Sequence, residues 1–461
     1  AAASPARRDI TLRRRLFRIS GGGEFNAPSS RHIVDSQTKF LHGKITWNGG
    51  SYETPVELRF EKNGKVQLQF PELEYDESFD FICNGFSKSN AFSFSADDRS
   101  GTSFYTDKLI LTSASTPLRN DKLFARVEGF FSYLFQENYT DAPTNGQQVR
   151  YWMKSFESFG PYKKRTALGV VRIRGTSTFE NYDRVGGFIE LRKTPHNRPL
   201  SMAWEYHAIR FLDYLHRMMQ FARCSPLPIT TSQSFRGSQA TSTHFNPRKS
   251  QRPFISPIHF LNSNAYFDHC IDAFFKSARL LNSIRFGIEW LNEPQHYNEL
   301  RLVVRMLSLE NFVEGLLTKE EKRRFPKGDF LTFREKLSDT INAAYGNVAT
   351  KQELVRSLGN LNTRSLREKI TLLIEKYRIP SDDISNEMIR DAINARNDII
   401  HRGVYYQENS NNKETLWRHI TVINELLVRT VFTLIEYDGG YVSWLGGRAH
   451  RHFPTFKKLL E

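Results

Sequence analysis

Arginine, asparagine and histidine lie close together in the segment "NARNDIIHRG" (394–403), as Arg396, Asn397 and His401. A guanidinium is a permanent cation, and an imidazole can exchange a proton near neutral pH. On a helix, Asn397 and His401 are four residues apart and share a face. Arg396 lies about 140° from His401 around the axis, but its long side chain can reach the same cleft. These three residues are therefore the candidate catalytic site.

The helix end gives His401 a second interpretation. Gly403 is a natural C-cap, so His401 falls in the last turn, where the helix dipole favours a protonated imidazole and the neighbouring Arg402 disfavours it. Arginine and histidine at a C-terminus also satisfy carbonyl groups without any chemistry. The pattern alone is weak, because the chain has similar pairs at Arg210 and His216 and at Arg252 and His259.

Only the third copy combines the spacing with a polar residue after the arginine and with a well-formed helix. Prolines interrupt the pair Arg252–His259, and aromatic residues surround the pair Arg210–His216, which indicates a helix core. The predicted buried stripe of the helix that carries Arg396 is Met388, Ile389, Ala392, Ile393, Ile399 and Ile400.

Length and cysteine usage limit the class of protein. A chain of 461 residues predicts two or three domains. Cys83, Cys224 and Cys270 lie far apart without a CxxC pair, which excludes a disulfide framework or a cysteine zinc site and favours a reducing, cytoplasmic compartment. No run of apolar residues is long enough for a membrane span, so we expect no membrane partner.

The formal net charge of +15 favours a polyanionic partner. About a third of it comes from "RRDITLRRRLFR" (7–18), and "GGGEF" follows soon after. We expect residues 1–34 to be a basic leader or extension that is disordered and outside the fold. The remaining excess still favours a nucleic acid.

The alternating apolar pattern within residues 35–260 predicts a β-rich domain of sandwich or barrel type. In "PVELRFEKNGKVQLQF" (55–70) apolar residues alternate on both sides of Asn63-Gly64, which predicts a hairpin with a type I′ turn. Helical periodicity predicts an amphipathic helix over 199–222. The segment 230–253 has no periodicity, no acid and four basic residues, and we predict a mobile loop there.

Residues 261–461 predict a helical bundle. The predicted helices, separated by glycine and proline stops, are 265–284, 298–317, 329–346, 362–377, 385–401 and 414–437. The fold class is thus a multidomain α+β protein, with a β-rich N-terminal domain and an all-α C-terminal bundle.

A helical bundle in which the penultimate helix carries R-N-x-x-x-H resembles the HEPN superfamily of helical ribonucleases and nucleotide-binding modules. "LSLENFVEGL" (307–316) is similar to an early helix of HEPN domains of the ApeA type, and "EYDGGYVSW" (436–444) is similar to their aromatic–glycine tail. A β-rich domain before a HEPN domain is also the ApeA-like layout. The resemblance covers most of residues 35–450.

The resemblance implies a metal-independent endoribonuclease of prokaryotic antiviral defence by abortive infection. His401 would transfer protons, Arg396 would stabilise the anionic transition state, and Asn397 would orient the histidine or the phosphate. The substrate would be RNA, with tRNA as one candidate, and two copies in a homodimer or higher homo-oligomer would form the site. No metal or cofactor is expected.

The resemblance is incomplete at two positions. HEPN families that are regulated by a nucleotidyltransferase partner carry a tyrosine two residues after the histidine, where this chain has Gly403. Glu310 is a possible supporting acid of the site, although a glutamate on a long helix is more often solvated or ion-paired.

A competing hypothesis is a non-catalytic HEPN-like module that dimerises and binds RNA or a nucleotide, with an N-terminal domain that senses a partner. The intact trio Arg396, Asn397 and His401 favours the enzyme. A third hypothesis, a sugar-binding β-domain with a helical tail, has only the strands and scattered aromatic residues in its favour.

Overall fold

The computed structural model describes residues 37–47, 50–70, 73–74, 92–115, 118–119, 122–139, 146–156, 161–175, 184–194, 203–247, 256–293, 295–344, 348–405 and 412–453. The predicted leader, residues 1–34, lies outside the described residues.

The strands of the β-rich region are β1 (Gln37–Trp47), β2 (Gly50–Phe60), β3 (Val66–Gln69), β4 (Leu73–Glu74), β5 (Phe92–Asp97), β6 (Ser103–Ser115), β7 (Leu118–Arg119), β8 (Lys122–Phe131), β9 (Tyr133–Tyr139), β10 (Gln147–Lys154), β11 (Tyr162–Thr166), β12 (Gly169–Gly175), β13 (Val185–Arg192), β14 (Ile229–Arg236) and β15 (Gln239–Phe245). A short hairpin near the C-terminus consists of β16 (Gly439–Val442) and β17 (His450–Phe453).

The α-helices are α1 (Ala203–Arg223), α2 (Ser263–Ser283), α3 (Arg285–Asn292), α4 (Asn298–Leu316), α5 (Lys327–Ala344), α6 (Val348–Ser357), α7 (Leu366–Tyr377), α8 (Asn386–Arg402) and α9 (Asn412–Leu434). A β-rich region is therefore followed by a helical region, as the sequence predicts.

Six strands close into a small barrel. Its antiparallel neighbours run β1, β2, β3, β8, β6 and β5, and β5 pairs again with β1. Alternating side chains of these strands point inward, so that Ile45, Leu58, Leu68 and Leu109 are fully buried in one apolar core. Of the two predicted types, the barrel is the observed one.

The same sheet continues beyond the barrel and meets the helices. From β6 the order runs through β9, β15, β14, β10, β13, β12 and β11. Helix α1 lies against this extension, where the Trp204 indole donates to the Leu168 carbonyl at 2.8 Å. On the other side, the Tyr266 hydroxyl of α2 donates to the Met218 carbonyl of α1 at 2.8 Å. One apolar core thus joins the sheet extension to the helical region.

The prediction of a mobile loop at 230–253 is wrong for residues 230–245, which form two strands. Strands β14 and β15 form a hairpin in which Arg236 pairs with Gln239, and β10 and β9 flank it on either side. One face of β14 meets α1, where the Ser234 hydroxyl donates to Glu205 at 2.7 Å, and the other face is also polar. Polar residues on both faces remove the apolar alternation that marks a strand. Residues 248–253 lie outside the described residues.

The turn between β2 and β3 also differs from the prediction. A type I′ turn needs positive φ at both central residues, but of Asn63 and Gly64 only Gly64 has it, at 79°. The Gly64 N–H donates to the Glu61 carbonyl and the Glu61 N–H to the Lys65 carbonyl, both at 2.9 Å. This pattern belongs to a longer hairpin loop that ends in a glycine bulge.

The helical predictions agree with the structure within a few residues for the helix at 199–222 and for the six C-terminal helices. Helices α3 and α6 were not predicted. The basic segment "RAHRHF" (448–453) contains β17, which pairs with β16.

His244 on β15 is held as a neutral ring. Its Nε2 lies 2.9 Å from the Gln136 Oε1 and its Nδ1 lies 3.3 Å from the Thr231 hydroxyl, while the Phe60 ring packs against it edge to face. Burial lowers the pKa of His244 from 6.5 to about 4. As the pH falls, the His244 imidazole is protonated in the unfolded chain at a higher pH than in the folded one. The free energy of unfolding therefore decreases as the pH is lowered from about 6.5 to 4.

We therefore expect the wild type to lose stability relative to His244→Gln, which does not titrate, as the pH falls from 6.5 to 4. The difference between their free energies of unfolding should change by at most about 3 kcal/mol. Urea unfolding of both proteins across this pH range measures it. A difference that stays constant with pH would contradict the buried neutral ring.

Candidate active site on helix α8

Helix α8 is delimited at both ends by local hydrogen bonds. The Ser385 hydroxyl accepts from the Met388 N–H at 3.2 Å, which caps the N-terminus. Gly403 has φ of 78° and donates its N–H to the Ile399 carbonyl at 2.8 Å. The predicted C-cap is confirmed, and His401 and Arg402 lie in the last turn.

Arg396 and Asn397 are in direct contact. The Arg396 Nη1 donates to the Asn397 Oδ1 at 3.0 Å, and the Nη2 donates to the Glu310 carboxylate on α4 at 2.9 Å. The guanidinium is partly open to solvent, with 22% of the side chain exposed, and Glu310 is 30% exposed. The buried Nε has no hydrogen-bond partner among the described residues. Asn397 and Glu310 thus orient the Arg396 guanidinium, and each Nη atom keeps one N–H beyond these two hydrogen bonds.

His401 is exposed one turn after Asn397. The two residues share a face of α8, as their spacing predicts. Among the described residues, His401 makes no hydrogen bond or ion pair. Within one chain, the structure therefore joins Arg396 to Asn397 by a hydrogen bond and leaves the His401 imidazole exposed one turn after Asn397.

The predicted buried stripe of α8 is wrong at one position. Ile389, Ala392 and Ile399 are buried, but Ile400 is 48% exposed. Adjacent helical residues lie about 100° apart, so Ile400 lies at the border of the face that buries Ile399. With Val404, which is 50% exposed, Ile400 places apolar surface on both sides of His401 in the sequence.

Glu310 has the structural role that the sequence argument favoured for it. Its carboxylate forms an ion pair with Arg396 across α4 and α8. The two residues lie 86 positions apart, so no local pattern could reveal the contact. The exposed Leu307 lies three residues before Glu310, on the same side of α4.

A polar cavity of about 280 Å³ lies on another side of α8, against α9. Asp391, Asp398, Tyr405 and His419 are among its lining residues, whereas Arg396, Asn397 and His401 are not. Arg418 also lines this cavity, so charges of both signs face it.

Two groups of this cavity were missed by the sequence argument. Burial lowers the pKa of His419, and the nearby carboxylate of Asp391 partly offsets this effect by raising it. Burial raises the pKa of Tyr405, and Asp398 and Asp391 raise it further. The hydroxyl of Tyr405 lies 3.3 Å from the His419 Nε2. The seven-residue spacing of Asp391 and Asp398 is the one sequence signal for a shared helix face here.

Among the described residues, no group of three or more histidine, cysteine, aspartate or glutamate side chains is arranged to hold a metal ion. In the same part of the chain, none of the helices has the length and apolar character that crossing a membrane requires.

Comparison of the chain with protein families, with curated proteins and with solved structures finds no match.

Proposed function

We propose that the chain is a metal-independent endoribonuclease with Arg396, Asn397 and His401 as its catalytic residues. The observation that carries the proposal is the arrangement at the end of α8. A guanidinium oriented by Asn397 and a solvent-facing imidazole lie in the C-terminal half of one helix, outside the lining of the cavity against α9. The resemblance to HEPN nucleases supports the same residues.

The chemistry needs a base, an acid and a cation. His401 takes the proton of a ribose 2′-hydroxyl, and the oxygen attacks the adjacent phosphorus. The bond from phosphorus to the 5′-oxygen breaks, and that oxygen takes a proton from a second, protonated imidazole. The products are a 2′,3′-cyclic phosphate and a 5′-hydroxyl. Arg396 stabilises the extra negative charge on the phosphorane oxygens through its planar donors.

One chain supplies one His401, whereas this reaction uses an acid and a base. A two-fold contact between two α8 helices provides both, together with two guanidinium groups. The exposed Ile400 and Val404 beside His401 favour such a contact, because apolar residues at the surface become buried in it. We infer a homodimer or higher homo-oligomer as the active form.

The resemblance extends the proposal to antiviral defence by abortive infection. The RNA would be that of host or invader, with tRNA as one candidate. The β-rich region would then sense a signal or restrain the nuclease.

One observation favours a second function. The Arg396 guanidinium is already paired with Glu310, and this ion pair joins α4 to α8. In a non-catalytic module that dimerises and binds RNA or a nucleotide, Arg396 would have only this structural role. Such a module binds RNA and leaves it intact.

Substitution of Arg396 separates the two functions. In EDTA, we expect the wild type to cut RNA and Arg396→Ala to cut it at least about 100-fold more slowly, since a transition-state cation is lost. Gel analysis of incubated RNA measures the rates. Arg390→Ala is the matched control, because Arg390 is an exposed, ion-paired arginine of the same helix.

Equal cleavage by wild type and Arg396→Ala would reject Arg396 as a catalytic residue. Binding of RNA by the wild type without any cleavage would favour the non-catalytic module.

A further inference from the structure

A second cavity, of about 210 Å³, lies in the β-rich region, far from α8 in the sequence. Its walls are β1, the loop between β2 and β3, and one face of the strands β9, β15 and β14. The residues of this face that line it are Gln136, Asn138, Thr231, Gln233, Phe235, Ala240, Ser242 and His244. They alternate along each strand, so they point to the same side of the sheet.

The loop between β2 and β3 is fixed against the opposite wall. A Cβ atom on Gly64 would lie 2.4 Å from the Thr230 Cγ2, so the loop approaches β14 as closely as a glycine permits. The Val185 N–H donates to the Lys62 carbonyl at 3.2 Å and ties the loop to β13. The cavity therefore has a fixed shape before any ligand arrives.

Hydrogen bonds orient several polar groups of the lining. The Trp152 indole donates to the Gln233 Oε1 at 2.7 Å, and the Gln233 amide donates to the Ser242 hydroxyl at 3.3 Å. Because the His244 Nε2 lies against the Gln136 Oε1, the hydrogen-bond network assigns His244 as the donor. Side chains that are already held lose little entropy when they bind a ligand.

The same network leaves hydrogen-bonding capacity in the cavity. The Gln136 amide nitrogen keeps two N–H donors, and the Asn138 amide makes no hydrogen bond with another described residue. Gln136 and Asn138 are two residues apart on one face of β9. Together they offer donors and an acceptor side by side, which suits a planar ring with donors and acceptors on its edge.

Two phenylalanine rings and two lysines also belong to the lining. Phe60 and Phe235 are half-buried and can stack on a ring. The Lys39 ammonium is neutralised by Asp98 at 2.6 Å, whereas Lys65 has no carboxylate partner among the described residues. Among the described lining residues, Lys65 is therefore the cation that is available to an anionic group of a ligand, although the Glu61 carboxylate belongs to the same lining.

The size of the cavity restricts the ligand further. Its volume is below the roughly 300–1,000 Å³ of pockets that hold drug-sized ligands. This volume favours a ligand with one nucleobase and one sugar, with its phosphate at Lys65, over a dinucleotide. Among the described residues, the carboxylate that lines the cavity is that of Glu61, and the Asn63 amide donates to it at 2.6 Å.

We propose that this cavity binds a nucleoside monophosphate, with the amides of Gln136 and Asn138 on the edge of the base and the Lys65 ammonium on the phosphate. This site is separate from Arg396 and His401, and the proposal does not depend on RNA cleavage. It gives the β-rich region a small-molecule ligand of its own.

Titration calorimetry of the full chain with AMP, GMP, CMP and UMP, and with ribose 5-phosphate and glucose, tests the proposal. We expect at least one nucleotide to bind, and neither sugar. Asn138→Ala should weaken that binding about tenfold, which is the effect of one or two lost hydrogen bonds. The Asn138 side-chain amide makes no hydrogen bond with another described residue, so this variant should fold normally.

Lys65→Ala should weaken the binding of the nucleotide and leave the binding of the corresponding nucleoside unchanged. Asn264→Ala and Lys163→Ala, which change exposed residues elsewhere, are the matched controls. His401→Ala should bind as the wild type does, which separates this site from the proposed nuclease. The absence of binding by all four nucleotides at millimolar concentration, or equal binding of glucose, would overturn the proposal.

Discussion

Replacement of His401 by alanine is expected to slow RNA cleavage by roughly 10²- to 10⁴-fold, because proton transfer by a positioned side chain contributes about that much. The free energy of unfolding should change by no more than about 0.5 kcal/mol. His401 is exposed and makes no hydrogen bond to another described residue, so its removal leaves no buried group unsatisfied. Cleavage rates and urea unfolding of the same preparation measure both effects.

His207→Ala is the matched control, since His207 is an exposed histidine on α1. It should cut RNA at the wild-type rate. A His401→Ala protein that cuts as fast as His207→Ala would remove the proton-transfer role. A large loss of stability in His401→Ala would instead indicate a structural role of the helix end.

Replacement of Glu425 by alanine is expected to lower the free energy of unfolding by about 3–5 kcal/mol, as the breaking of a buried ion pair does. Glu425 is fully buried on α9 and accepts from the Arg429 Nε and the Tyr441 hydroxyl, both at 2.8 Å. It also accepts from the Trp444 N–H at 2.6 Å. Removal of the carboxylate leaves three buried donors without this acceptor.

Urea unfolding measures this effect, with Glu436→Ala as the control. Glu436 forms an exposed ion pair with Lys276 at 3.0 Å, so its loss should change the free energy of unfolding by at most about 1 kcal/mol. If Glu425→Ala also lowers the free energy of unfolding by less than about 1 kcal/mol, the buried contacts do not fix the hairpin β16–β17 to α9.

Helices were predicted well because their signal is local. In α8, the apolar spacing, the Ser385 cap and Gly403 all lie within the segment itself, and the predicted range 385–401 differs from Asn386–Arg402 by one residue at each end. The error at Ile400 has a geometric reason. Periodicity locates the buried face, but two adjacent isoleucines do not show which one lies at its border.

Strands β14 and β15 could not be found in the same way. One face of these strands meets α1 and the other lines the cavity of about 210 Å³, and polar residues interrupt the apolar alternation on both faces. Both surroundings come from distant parts of the chain. The contact between Arg396 and Glu310 is hidden for the same reason, because it forms only when α4 and α8 pack together.

The most direct test of the proposed activity is the chemistry of the RNA ends that the purified wild-type protein produces in EDTA. The proposal predicts fragments with a 2′,3′-cyclic phosphate and a 5′-hydroxyl, which disappear in both Arg396→Ala and His401→Ala. Fragments with a 3′-hydroxyl and a 5′-phosphate, or cyclic ends that persist in both variants, would contradict it.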